Sequence, residues 1–207
     1  MLKPQDIVIL LKILASERPE QLLQKDLATY LCMSASEVHE GMKRLELSGL
    51  IAPVYRKSEE SNSSKTIRMP IQAACEECLI YGVKYFFPVQ LGVYTRGIPT
   101  SYAAPLFKKH ILLGDDPIPV WPYAEGDQRG VALEPLYRSV PEALTKHPDQ
   151  TFYELLVLID AIRSGRARER KIAIELLREF YASKKRKSDI QFKNAGVGCE
   201  ETRGIER

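Results

Sequence analysis

Apolar residues recur at helical spacing in several stretches of the chain and thin out between them. Residues 4–17 begin with Pro4, which costs nothing at a first helical position whose N–H is unpaired anyway. Ile7, Leu10, Leu11 and Leu14 make one stripe, and Val8, Ile9 and Ile13 widen it beyond the needs of a single-sided surface helix. Such a helix is either buried beneath its neighbours or shares a second apolar face with another subunit or the C-terminal half. Leu27, Ala28 and Leu31 mark a short second helix. Ser34 then offers a side-chain oxygen to the free N–H groups of a third, with Glu37 three residues on, the spacing of a capping box. Val38, Met42 and Leu45 form the inner face of this third helix, and Ser36, His39, Glu40, Lys43 and Arg44 its outer one. Gly49 supplies the left-handed residue that stops it.

Beyond Leu50-Ile51, the segments Val54-Tyr55-Arg56 and Thr66-Ile67-Arg68 read as two strands around the polar tip SEESNSS. Helix, turn, helix and hairpin is the order of a winged helix-turn-helix, whose second helix enters the DNA major groove. Arg56, Lys57, Lys65 and Arg68 would reach phosphate or the minor groove from the hairpin, against the opposing charge of Glu59 and Glu60. The plainer alternative is a solvated loop. The stretch DLATYLCMSASEVHEGMKRLELSGLI resembles the winged helix-turn-helix regulators of the MarR type, matching at Ser34, Ser36, Glu37, Val38, Arg44, Leu45, Gly49 and Leu50. The resemblance implies a transcriptional regulator of the bacterial cytoplasm, a repressor acting as a homodimer. Its DNA contacts would come from Ser34, Ser36, His39, Glu40, Lys43, Arg44, Arg56, Lys57, Lys65 and Arg68. The likeness stops near residue 51; the remainder, with VKYFFPVQLGVYTRGIPTSYAAP and VWPYAEGDQRG, is similar to bacterial proteins classed only by this N-terminal half. The C-terminal part is also larger and more irregular than MarR proteins carry, and Glu37 and Glu40 repel phosphate.

Pro70 opens a third region. IQAACEECLIYGVKYFF reads as a helix ending near Gly82, with Ile71, Ala74, Cys78 and Leu79 inward. From Phe86 to His147 the chain holds most of its 13 prolines, a density at odds with long helices or central strands. Aromatics spread through it, including Tyr94, Trp121 and Tyr137, predict ordered extended chain rather than a linker, with room for a small-molecule effector or a protein partner. Helical periodicity returns with Phe152, Leu155, Leu156 and Ile159, breaks at Ser164-Gly165, and resumes with Ile172, Leu176 and Phe180, flanked by Ala173 and Leu177. Arg163, Arg166, Arg168 and Arg170 gather at that break, as a solvated face or as an anion or partner site. Beyond Ala182 periodicity is lost, and Lys184 to Lys187 start a basic, disordered tail.

Composition changes this picture little. A hydrophobic share of 44% and a charged share of 28% describe an ordinary globular chain, and a net charge of +3 permits nucleic-acid binding without arguing for it. The run IVILLKIL is far too short for a membrane span, and MLKPQD is not a secretory leader, which places the protein in the cytoplasm with no membrane partner. Cys75 and Cys78 form a lone C-x-x-C with neither a second pair nor a nearby histidine, so they read as buried thiols. His110 and His147 stand in polar surroundings, Asp115-Asp116 precede a proline as turn residues do, and no nucleophile, metalloprotease or P-loop motif occurs. The expectation is therefore a mainly α (α+β) protein without catalytic activity, metal or cofactor. It comprises a DNA-binding domain at 1–70, a dimerisation, effector or partner-binding domain at 71–182 and a tail at 183–207. A protein-interaction module, such as an antitoxin or defence-system accessory protein, is the alternative.

Overall fold

In the computed structural model the chain is helix-rich with two small sheets, an α+β arrangement. The structure describes residues 1–58, 61–112, 114 and 116–195, with the backbone alone at 56–58, 61–65 and 187–195. Helices α1 (Pro4–Ala15), α2 (Gln24–Tyr30) and α3 (Ala35–Leu47) are followed by strands β1 (Ile51–Ser58) and β2 (Ser61–Pro70), which pair antiparallel as a hairpin. Both breaks in the helical run follow local chemistry. Cys32, at φ 50, ends α2 in the left-handed region, with its N–H on the Thr29 carbonyl and the Met33 N–H on that of Ala28. Gly49, at φ 71, ends α3 in the same way, the Leu50 N–H returning to the Leu45 carbonyl.

The wide apolar surface of α1 has its explanation inside the chain. One side packs on α3 and the other on α7 (Gln150–Ser164), and every residue from Asp6 to Ala15 is buried. Lys12, which interrupts the apolar run, is held by Asp149 at 2.7 Å and lies over the rings of Tyr30 and Phe152. Asp149 also caps α7 through the Phe152 N–H, so one ion pair fixes the start of α7 against α1. A single apolar core runs from Ile7 and Leu45 through Leu79 to Ile159 and Leu177, across the boundary expected at residue 70.

The helix after Pro70 continues past Gly82 rather than ending there. It runs as α4 (Gln72–Glu77), a π-helical stretch at Cys78–Gly82, and α5 (Val83–Phe86). The π stretch inserts one residue into the helical repeat, and Leu79, Ile80 and Val83 lie inward beside Cys75; Ile71, expected inward, is the exposed residue that precedes α4.

The proline-rich region, expected as ordered extended chain without long helices or central strands, forms three short strands, the first of them paired on both sides. Strands β3 (Leu91–Pro99), β4 (Pro119–Pro122) and β5 (Gln128–Leu133) close a small barrel, with β3 antiparallel to both partners and β4 parallel to β5. Proline is tolerated because Pro99, Pro119 and Pro122 sit at strand ends. The tight closure depends on glycine: a Cβ on Gly97 would lie 1.9 Å from the Trp121 carbonyl oxygen, and one on Gly130 2.0 Å from that of Ile118. Asp160 of α7 ties the barrel down, accepting from Trp121 Nε1 at 2.6 Å, Thr100 Oγ1 at 2.8 Å and Arg163 at 2.7 Å. Burial raises the Asp160 pKa, and Arg163 is the strongest of the three groups opposing that rise.

After the short α6 (Val140–Lys146) and α7, helix α8 (Ala167–Ala195) packs along α7. Its innermost residues are Ala173, Leu177 and Tyr181, while Ile172, Leu176 and Phe180, expected to be inward, are half-buried flanks. The tail expected to be disordered from residue 183 is helical to Ala195, and residues 196–207, with Cys199, lie outside the described residues. Among the described residues no helix is long and apolar enough to cross a membrane.

Candidate nucleic-acid interface

The outer side of helix α3 is open to solvent. Its capping box forms as expected: the Glu37 N–H donates to Ser34 Oγ at 3.2 Å, and Glu37 Oε2 accepts from the Ser34 N–H at 2.9 Å. Ser34, Ser36, His39, Glu40 and Lys43 are all exposed. His39 Nδ1 lies 3.2 Å from Gln24 Oε1, and Lys43 Nζ donates to Glu40 Oε1 at 3.0 Å. The Lys43–Glu40 pair is at the surface, where such a contact is weak enough to open for a competing anion.

Arg44 is different, and its place on the outer face is corrected. Its Nε and Nη2 donate to the two carboxylate oxygens of Asp6, both at 2.7 Å, and Asp6 is fully buried. Gly41 lets α1 approach closely enough for this pair, since a Cβ there would stand 2.5 Å from Ile9 Cδ1. Asp6 also accepts the Lys3 N–H at the start of α1. Arg44 is thus spent on joining two helices. Arg68 is similarly engaged, its Nε donating to Glu46 Oε2 at 2.6 Å and fastening the base of the hairpin to α3. The backbone pairs Arg56 with Lys65 across the hairpin, next to Lys57 opposite Ser64. The side chains of Arg56, Lys57 and Lys65, and the acids Glu59 and Glu60 at the tip, lie outside the described residues. Tyr55, 73% exposed, stands on the same hairpin.

Sequence reasoning missed what the second half of the chain brings to this place. The segment between β5 and α6 docks on the turn before α3: Ser139 Oγ donates to the Leu31 carbonyl at 2.6 Å, and the Tyr137 hydroxyl donates to Glu37 Oε1. Tyr137, followed by the Ser34 cap, pulls the Glu37 pKa from its ordinary 4.5 down to about 2. Arg138 is exposed between these two anchors, its guanidinium 5.8 Å from the Tyr137 ring, and its charge also acts on Glu37. The motif's spacing contains no hint of these contacts, because Tyr137 is 100 residues from its partner.

The other candidates divide. Arg163 and Arg170 are absorbed by the fold, Arg163 on Asp160 and the Phe87 carbonyl, Arg170 on the carbonyls of Ile162 and Gly165. Arg166 and Arg168 border a polar hollow of about 220 Å³ whose lining also includes Asp116 and Glu169. Cys75 is buried, donates to the Leu50 carbonyl and has its thiol pKa pushed up to about 12 by burial. Asp115 lies outside the described residues, and His147 packs edge-on against Tyr30. Among the described residues no group of histidines, cysteines and acids could hold a metal ion. A shallow cleft of about 370 Å³, bordered by Gln90, Pro122, Glu134 and Pro135, reaches Arg138. No protein-family model matches the chain, and no curated protein or solved structure does so either.

Proposed function

We propose that the chain is a duplex-DNA-binding transcriptional regulator whose residues 1–70 act as a winged helix-turn-helix. The observation that carries this reading is the open polar side of α3. It is capped at both ends, stands beside a hairpin with basic residues, and is left uncovered by the other described residues. Helix α3 would lie in the major groove with Ser34 and Ser36 at the phosphates and His39 and Glu40 at base edges, Glu40 accepting from a cytosine amine. Lys43, released from Glu40, and Arg138 would hold the backbone, and Arg56, Lys57 and Lys65 would clamp alongside. Arg44 and Arg68 keep α3 and the hairpin in register and do not touch DNA. One helix with so few free cations gives modest affinity, so two copies reading two half-sites is the economical form of a repressor.

The test is selection of duplex fragments by the purified full chain, followed by binding of the selected site over a range of salt. Lys43→Ala and Arg138→Ala should each reduce the slope of log K against log salt by about one. Failure to enrich any duplex, or slopes untouched by both substitutions, would sink the reading. A protein-interaction module is the second reading, favoured by the near balance of charge on the open side of α3, where Lys43 already faces Glu40. It predicts a stoichiometric protein partner and no retention of duplex at moderate salt.

A further inference from the structure

Six large apolar side chains are exposed between the π-helical stretch and the start of the barrel. Tyr81, Tyr85, Phe86, Leu91, Val93 and Tyr94 are each between 56% and 78% exposed. They fall within fourteen residues of chain, from the π-helical stretch through α5 to the beginning of β3, whose backbone pairs with β5. Large rings of this kind at such exposure present roughly 700 Å² of apolar surface. An ordinary monomer's largest patch is about 300–600 Å², whereas each partner in a stable complex contributes about 800 Å². The patch is also pre-shaped. The Phe86 ring lies over Gly82, where a Cβ would stand 2.9 Å from it, and meets Phe87 edge-on at 6.5 Å. Tyr81 is steadied by Arg178 at 3.1 Å.

We propose that this surface is the interface between two copies of the chain, formed by α4–α5 of each packing antiparallel about Tyr81. The charges at its rim select a second copy as occupant. Glu77 is exposed and lies about two turns before the half-buried Lys84 on the same helical run, with Tyr81 between them, while Glu76 is engaged by Arg178 at 3.9 Å. In a two-fold interface residue i meets j while j meets i, so an antiparallel pair brings Glu77 of each copy towards Lys84 of the other. A patch with both signs placed this way complements itself. The choice of a second copy over another protein also rests on the regulator reading, which needs two recognition helices.

The experiment is sedimentation of the full chain in physiological salt across low to high micromolar concentration. The wild type should sediment at twice the 23.5 kDa of one chain. Tyr85→Arg with Val93→Glu should raise the dissociation constant at least tenfold and leave the helical circular dichroism of the folded chain unchanged, because both side chains are exposed. Glu77→Lys and Lys84→Glu should each weaken the dimer, and the two together in one chain should restore it. A wild type that stays monomeric throughout, or a Tyr85→Arg/Val93→Glu chain that dimerises like the wild type, overturns the proposal. A chain that dimerises through this face yet retains no duplex leaves the interface standing and removes the regulator reading.

Discussion

Arg44 looks like a ligand of something external and turns out to be a joint. Arg44 sits at a position where a regulator would read DNA, but its planar fork matches the Asp6 carboxylate, and that carboxylate is fully buried. Removing the cation strands a buried charge, so Arg44→Ala should cost about 3 kcal/mol and roughly 8 °C in Tm. Asp6→Leu combined with Arg44→Met should recover most of that loss, because a buried pair replaced by apolar side chains often loses little. Calorimetry of the two variants decides it, and an Arg44→Ala chain as stable as the wild type would refute the joint. Glu37 makes a second joint, and its sign is simple. Its folded pKa of about 2 lies below the ordinary 4.5, so its contribution is present above pH 4.5 and is lost as pH falls towards 2. Tyr137→Phe removes the leading cause of that depression. The stability gap between this variant and the wild type, read from urea midpoints, should be widest near neutral pH and narrow through that window. A gap independent of pH would mean that the hydroxyl holds Glu37 in neither state.

At the scale of elements, what was legible depended on the range of the interactions. The caps of α3 were legible because Ser34, Glu37 and Gly49 act on backbone within one turn of themselves. The inner side of α7 was legible from Phe152, Leu155, Leu156 and Ile159, although the helix is buried nearly all round. The barrel was hidden, because its strands are short, rich in proline and paired across intervening turns. Gly97, Gly126 and Gly130 were the signal that could have found it: a Cβ on Gly126 would sit 2.3 Å from Gly97, so three chain segments cross where only glycine fits. Gly97→Ala should therefore cost about 2–3 kcal/mol and shift the emission of Trp121, the only tryptophan, to the red as the barrel opens. An unshifted spectrum with unchanged stability would contradict that closure. The rotated inner side of α8 was hidden for a similar reason, since Ile172–Leu176–Phe180 and Ala173–Leu177–Tyr181 are neighbouring stripes with the same period. Which one goes inside depends on the helices it meets.

At the scale of the whole molecule, α1 decides how the two halves behave. Its two apolar sides pack on α3 and on α7, and Lys12–Asp149, Tyr137–Glu37 and Ser139–Leu31 span the same join. Unfolding followed by Trp121 fluorescence, which reports on the barrel, should then coincide with loss of helical circular dichroism in one transition. Two separated transitions would show that residues 1–70 fold independently of the C-terminal half. The sequence by itself determined the capping and end of α3, the hairpin after it, and the breadth of the apolar surface on α1, because these depend on backbone hydrogen bonds and periodicities only a few residues long. Only the tertiary structure decided that Arg44 faces Asp6, that Tyr137 and Arg138 stand beside the turn before α3, and that Tyr81, Tyr85, Phe86, Leu91, Val93 and Tyr94 are left exposed among the described residues. Those outcomes turn on partners 38 to 100 residues away, or on the absence of one. Distance along the chain carries no information about them until the core has closed.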